Sequence, residues 1–315
     1  MKSRSSRLLR AALETPWAIL PAKLDEILGV LQAWGQGIAI PRAFNDGPDE
    51  PSDRALPMKV GRVAVVRVFG TIFPRANNVA AMSGGTSAEM LGQSFNSLVA
   101  DRSVDAIVLD VDSPGGTVPG IAEVSDMVFA ARAVKPVVAV ANPHMFSAAY
   151  FIGASATEVI ITATGELGSI GVLMVHEDWS KANEKTGVDV TYLSAGRLKT
   201  LGNPDEPLND EAKALLQARV DDAYARFVKA VARGRGVTPK QVREGFGEGF
   251  IVNAQEAVRL GMADRIGGLD DAVARASQLA RKGGNPNRAR ALTFGIGIQS
   301  SASASRGQAG KETVE

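Results

Sequence analysis

A serine set between an apolar strand and a run of small residues is the first feature that could do chemistry. In Ala141-Asn142-Pro143-His144-Met145-Phe146-Ser147-Ala148-Ala149-Tyr150 a strand ends, a short loop follows, and Ser147 opens a predicted helix. A hydroxyl there lies at the positive end of the helix dipole, and the N–H of Ala148 could join an oxyanion hole. The plain alternative is an N-cap serine, the commoner fate of Ser at a helix start.

Three further elements fit the same chemistry. Asp112-Ser113-Pro114-Gly115-Gly116 follows an apolar strand and precedes a helix. Its paired glycines let the backbone turn sharply and offer N–H groups where a tetrahedral oxyanion would develop; a plain strand-to-helix turn reads equally well. Gly165-Glu166-Leu167-Gly168-Ser169-Ile170-Gly171-Val172 carries three glycines at a strand entry, a pattern of close backbone approach in a bulge or substrate groove. Lys199, in Ala195-Gly196-Arg197-Leu198-Lys199-Thr200-Leu201-Gly202-Asn203-Pro204, follows a predicted strand and precedes turn formers. A lone lysine is ordinarily a solvated charge.

A nucleophilic serine needs His, Lys or a carboxylate within hydrogen-bond reach. A lysine can serve if apolar surroundings leave its amine neutral near the working pH. The chain has no cysteine, which excludes a disulfide framework, a thiolate zinc site and a cysteine nucleophile. Its two histidines, His144 and His176, make a histidine-rich metal centre a poor fit, and no cofactor or metal is expected.

The elements that must position these groups follow from periodicity. Strands are predicted at 63–69, 106–111, 136–141, 158–163 and 188–194, with helices at 87–99, 121–133, 147–154 and 209–233. Strands alternating with helices imply parallel pairing through crossovers, in a sheet covered on both faces. Residues 1–58 read as an N-terminal helical extension, with Leu24, Ile27, Leu28 and Leu31 at helical spacing after Pro21, followed by a Pro/Asp/Gly-rich linker. The catalytic domain is expected over 59–282, and 283–315 reads as a flexible tail.

Basic and acidic residues number 35 and 34 and are interspersed, so nothing in the charge pattern points to nucleic acid or an anionic membrane. Glu14, Pro16, Pro21, Lys23, Asp25 and Glu26 interrupt the apolar residues near the N-terminus. Neither a signal peptide nor a membrane span is expected, and a cytoplasmic setting follows as the expectation.

The order Asp112–Gly116, Ser147-Ala148-Ala149-Tyr150, Gly168-Ser169-Ile170-Gly171-Val172 and Lys199 resembles the signal peptide peptidase A (protease IV) family of Ser/Lys-dyad peptidases. The resemblance covers roughly residues 60–275. It implies an α/β Clp/crotonase-like ββα superhelix with mainly parallel sheets. It also implies Ser147 as nucleophile, Lys199 as general base and Ser169 as the residue orienting the amine. Backbone N–H groups of Gly115 or Gly116 and of Ala148 would form the oxyanion hole. Substrate would lie as an added β-strand in a groove at Gly168, Ile170 and Gly171. A helical lead containing Trp17, the stretch Asn203-Pro204-Asp205-Glu206-Pro207-Leu208 and the expected lack of an anchor resemble the head-maturation proteases of tailed phages and prophages. That branch implies capsid scaffold or head proteins as substrates and action inside the procapsid, while the family implies a homo-oligomeric ring in which a neighbour can supply the lysine.

Three other readings stay open at this point. A Clp-type triad would use His176, followed by Glu177 and Asp178. A crotonase-fold acyl-CoA enzyme would use Glu123 or Glu166. A capsid-assembly component would carry an inactive peptidase core.

Overall fold

The computed structural model describes residues 4–36, 38, 57–75 and 85–282. The expected tail at 283–315 and most of the expected linker lie outside the described residues.

The core is a mostly parallel sheet. Its central strands are Val63–Phe69, Ala106–Ser113 and Val137–Phe146, joined by in-register parallel pairing of Val65 with Val108 and of Leu109 with Ala139. Glu158–Ile161 pairs parallel to the far side of Val137–Phe146. These strands read as continuous apolar runs because each face is covered. One face, with Val66, Leu109 and Ala139, packs against helices Ala88–Ala100, Ile121–Ala131 and Ala148–Gly153. The other, with Val65, Val108, Val138 and Ile160, packs on Ala272, Ala276 and Ala280 of helix Leu269–Lys282. The expected parallel α/β layout is therefore present.

The long strand Val137–Phe146 does two jobs. Its first half is the centre of the sheet, while His144–Phe146 pairs parallel to Glu166–Gly168. A register shift between Val111 and Ser113, of the kind a β-bulge makes, bends the neighbouring strand before Pro114. The chain restarts as a second short strand, Gly115–Thr117.

That strand belongs to a smaller sheet in the order Trp17–Ile19, Gly115–Thr117, Ile72–Phe73, Thr86–Ser87. The N-terminal lead is thus not wholly helical. Helices Arg4–Leu13 and Pro21–Gly35 flank an extended segment, and Leu24 and Leu28 cover Trp17, Ile19 and Phe73 in a separate apolar cluster.

The expected strand at 188–194 is a correction. Its residues are exposed and make no ladder, although Val188, Val190 and Tyr192 are good strand formers. Strand propensity is expressed only where there is an edge to pair with and a face to bury, and 188–194 has neither among the described residues.

Candidate active site

Ser147 stands at the junction of strand Val137–Phe146 and helix Ala148–Gly153. Its backbone is at φ 51, ψ −115, a left-handed conformation that costs a non-glycine residue about 1–3 kcal/mol. Neighbours hold it there. The Ser147 N–H donates to the Gly168 carbonyl at 2.8 Å, and the Phe151 N–H donates to the Ser147 carbonyl at 2.8 Å. The helix that follows is anchored in turn. All six of its residues are buried, the Tyr150 hydroxyl donates to the Met262 carbonyl at 2.9 Å, and Phe151 stacks on Phe227 at 4.6 Å.

The side chain of this serine is not used as a helix cap. It makes no capping hydrogen bond to its helix; the hydroxyl lies 3.4 Å from the Gly171 carbonyl, facing the 168–171 segment. A serine in a strained backbone, buried, and not used as a cap has the attributes of a positioned nucleophile rather than of a helix stop.

The two glycine motifs converge on it. A Cβ added at Gly115, where φ is +100, would stand 3.0 Å from Ser147 Cβ. At Gly116 a Cβ would stand 2.0 Å from the Ile72 carbonyl oxygen, so neither position tolerates a side chain. The Gly115 N–H donates to Ser113 Oγ at 3.2 Å, and that hydroxyl donates to the Gly70 carbonyl at 2.6 Å. Gly168 is held close to the Phe250 carbonyl oxygen, 2.8 Å from an added Cβ. Ser169, also at positive φ, donates its N–H to that carbonyl at 2.9 Å. Ile170 is buried beside them.

Across residues 130–282 the sequence matches the peptidase family S49 description. Over that stretch the chain belongs to peptidase family S49. The S49 segment carries Ser147, Ser169 and Lys199, while Gly115 and Gly116 precede it. Among curated relatives, "Capsid assembly protease C" of Escherichia phage lambda is 32% identical over 231 residues, covering 73% of this chain and 52% of the relative. "Head-tail preconnector protein GP5" of Enterobacteria phage P21 is 32% identical over 214 residues, covering 68% and 42%. The "Putative signal peptide peptidase SppA" of Enterococcus faecium is 34% identical over 175 residues, covering 55% and 50%. The chain spans about half the length of these relatives. Among solved structures, a ClpP1 mutant from Listeria monocytogenes is matched at 16% identity and TM-score 0.42, over 66% of this chain and 94% of that one.

Within the S49 segment, Lys199 is not brought to the serine. It is exposed in a turn, and among the described residues no hydrogen bond joins it to Ser147 or Ser169. Its loop is tied to the N-terminal helix instead. Arg10 donates to the Tyr192 hydroxyl at 3.1 Å and to Asp205 at 3.0 Å, and Tyr192 also bonds Asp205. His176 lines a cavity of about 810 Å³ together with Lys199, Arg10 and Asp205. Its Nε2 is buried without a partner, so no triad bond reaches Ser147. Glu123 is exposed on helix Ile121–Ala131, and Glu166 sits half-buried in strand Glu166–Gly168, paired in register with Asn253.

The sequence reading missed one part of the site, the strand Trp17–Ile19. It pairs antiparallel to Gly115–Thr117, with Ala18 opposite Gly116. The Val118 N–H donates to the Pro16 carbonyl at 3.1 Å and the Leu20 N–H to the Pro114 carbonyl at 2.8 Å. Alternation along an antiparallel ladder therefore makes Ala18 and Gly116 the next hydrogen-bonded pair. A signal was present, because Pro16 and Pro21 bracket the segment and the residue before a proline is pushed to extended backbone.

Among the described residues no helix is long and apolar enough to cross a membrane, and no cluster of His, Cys, Asp or Glu is placed to hold a metal.

Proposed function

We propose that the chain is a serine endopeptidase in which Ser147 forms the acyl-enzyme and Lys199 is the general base. The observation that carries the reading is Ser147 itself, strained at φ 51 with its hydroxyl uncommitted to capping. In the reaction the neutral lysine amine takes the hydroxyl proton as Oγ adds to the substrate carbonyl. Backbone N–H groups of Ala148 and of Gly115 or Gly116 receive the oxyanion, and the protonated amine then returns its proton to the leaving amine. Water, deprotonated by the same amine, releases the acyl group. Ser169 orients the lysine, and Gly168, Ile170 and Gly171 line the groove.

Lys199 reaches the serine when copies of the chain assemble in a ring. The exposure of its loop supports this, since Val188, Val190, Tyr192, Leu193 and Leu198 present apolar surface to solvent in the single chain, Leu193 at 95%. Several large apolar side chains exposed within one segment suit a contact face. The substrates are capsid scaffold or head proteins, cut in the host cytoplasm inside the procapsid. The naming of two relatives as a capsid assembly protease and a head-tail preconnector protein supports that assignment.

The test is labelling with a serine-directed acylating reagent. Wild type should be modified at one site, and Ser147→Ala should not. Equal labelling of both proteins removes Ser147 from the mechanism.

A further inference from the structure

The place beside Ser147 where a substrate strand would lie is already filled by the chain itself. Trp17–Ile19 pairs on one side with Gly115–Thr117. On the other side the Trp17 N–H donates to the Leu173 carbonyl at 2.8 Å and the Leu173 N–H donates back to the Trp17 carbonyl at 2.9 Å. A strand held by backbone on both edges, between the paired glycines and the segment that follows Gly171, is in the position of an extended peptide bound by β-addition.

Its register is equally specific. The point where a Gly115 Cβ would stand is 2.3 Å from the Ala18 carbonyl oxygen, 2.9 Å from Ile19 Cα and 3.0 Å from Ser147 Cβ. The Ala18 carbonyl thus faces the Gly116 N–H in the ladder, and the Ala18–Ile19 peptide bond lies beside the serine. The strand is fully engaged, with Trp17, Ala18 and Ile19 exposed by 3%, 1% and 2%. Among the described residues no titratable side chain hydrogen-bonds the Ser147 hydroxyl, so none of these is placed to activate it against this strand.

We infer that residues 16–20 are an internal substrate mimic that blocks the groove of the single chain, and that substrate must displace them. The inference rests on the peptidase reading of Ser147. A strand tethered to the same chain competes as an intramolecular ligand, ahead of dilute free peptide. A protein substrate presented at high local concentration would displace it. The occupant also states the chemistry of the substrate: an extended segment with a small side chain at the residue whose carbonyl meets Gly116, followed by an aliphatic one.

A reversible lock tests this in the full chain. Trp17 and Thr117 face each other at a non-hydrogen-bonded position, where Cα atoms approach within disulfide range. The chain has no cysteine of its own, so within one chain a Trp17→Cys/Thr117→Cys variant can form only that bridge, and non-reducing electrophoresis identifies any bridge between chains. Hydrolysis of a labelled Ala-containing peptide by the assembled protein should fall at least tenfold on oxidation and recover on reduction. Full activity in the oxidised form overturns the inference and leaves the peptidase reading intact. Because Trp17 is buried, Ala18→Pro provides a second variant, removing the N–H that pairs with Gly116. Its activity per molecule should rise at least tenfold, and a synthetic peptide of residues 15–21 should inhibit it. Unchanged or lower activity in a folded Ala18→Pro protein also overturns the inference. Absence of Ser147-dependent acylation in every form, wild type included, would instead remove the peptidase reading and this inference with it.

Discussion

Trp17 and Leu173 exchange both backbone hydrogen bonds, at 2.8 and 2.9 Å, and so tie the N-terminal lead to the segment leaving the catalytic core. The same lead places the Ala18 methyl among buried residues of the main core, which include Ala148 and Ile170. A substrate in this register meets a pocket sized for a methyl group. Peptides with Ala at the residue preceding the cut should exceed their Phe counterparts at least tenfold in kcat/KM, measured on the assembled protein. Overpacking a closed pocket costs about 1–3 kcal/mol, and a tenfold ratio needs about 1.4 kcal/mol of it.

Gly115→Ala should impair the site and the fold together. The new methyl would meet the Ala18 carbonyl oxygen at 2.3 Å in a backbone at φ +100. A loss of about 1–3 kcal/mol in denaturant unfolding is expected, with Ser147 acylation slowed at least tenfold. An unaltered acylation rate would mean that the paired-glycine turn does not shape the serine's surroundings.

Lys199→Ala should separate chemistry from stability. The residue is exposed in the single chain, so its removal should move Tm by less than about 2 °C. Peptide hydrolysis should drop at least a hundredfold, the usual range for losing a general base. Lys199→Arg should be as inactive, since a guanidinium does not give up its proton. His176→Gln should leave activity nearly intact; its collapse would transfer the base role to the histidine.

Much of this site could be read before any coordinates. Ser147, the paired glycines at 115–116 and the Gly168–Gly171 segment converge because each is a short local motif whose spacing survives in sequence. The helix forecast at 209–233 forms as Asp210–Arg235, with Asn209 as its cap. What was hidden depends on distant partners. Trp17–Ile19 is too short to show a period of two, and its identity as a strand comes wholly from Gly115–Thr117 and Leu173. The 188–194 segment failed in the opposite sense, with the composition of a strand and no strand to pair with among the described residues. Lys199, exposed in a turn, carries no local pattern that would tie it to Ser147, and the ring that would bring the two together belongs to the proposed function.

Arg235 and Asp264 should govern the acid limb of stability. Arg235 donates to both Asp264 oxygens at 2.9 Å, and the Val159 N–H donates to the same carboxylate. Burial works to raise the Asp264 pKa, but the Arg235 hydrogen bond and charge together with the Val159 N–H outweigh it and hold the group below its ordinary 3.8. A carboxylate depressed in the folded state contributes stability above its unfolded pKa and loses it as pH falls through the folded one. Asp264→Asn should therefore cost about 1–3 kcal/mol at neutral pH and flatten the stability profile below about pH 4. A variant with the wild-type acid slope would exclude this pair as the source.

Gly234→Ala should invert the usual helix rule. Replacing a helical glycine by alanine ordinarily gains about 1 kcal/mol. Here the added Cβ would stand 2.1 Å from the Ala154 carbonyl oxygen, where helix Asp210–Arg235 passes the end of the serine's helix. The variant should be less stable than wild type by urea unfolding, and Ser147 acylation should slow with it. A more stable variant would show that the two helices can separate without loss.

The Phe250 carbonyl accepts the Ser169 N–H and crowds Gly168, whose own carbonyl holds the Ser147 amide. The shape of the serine is therefore completed by chain synthesised long after it. A ribosome that has released only the first half of the polypeptide has made the hydroxyl but not its posture. Fragments broken off before Phe250 would inherit the residue without the contacts that shape it.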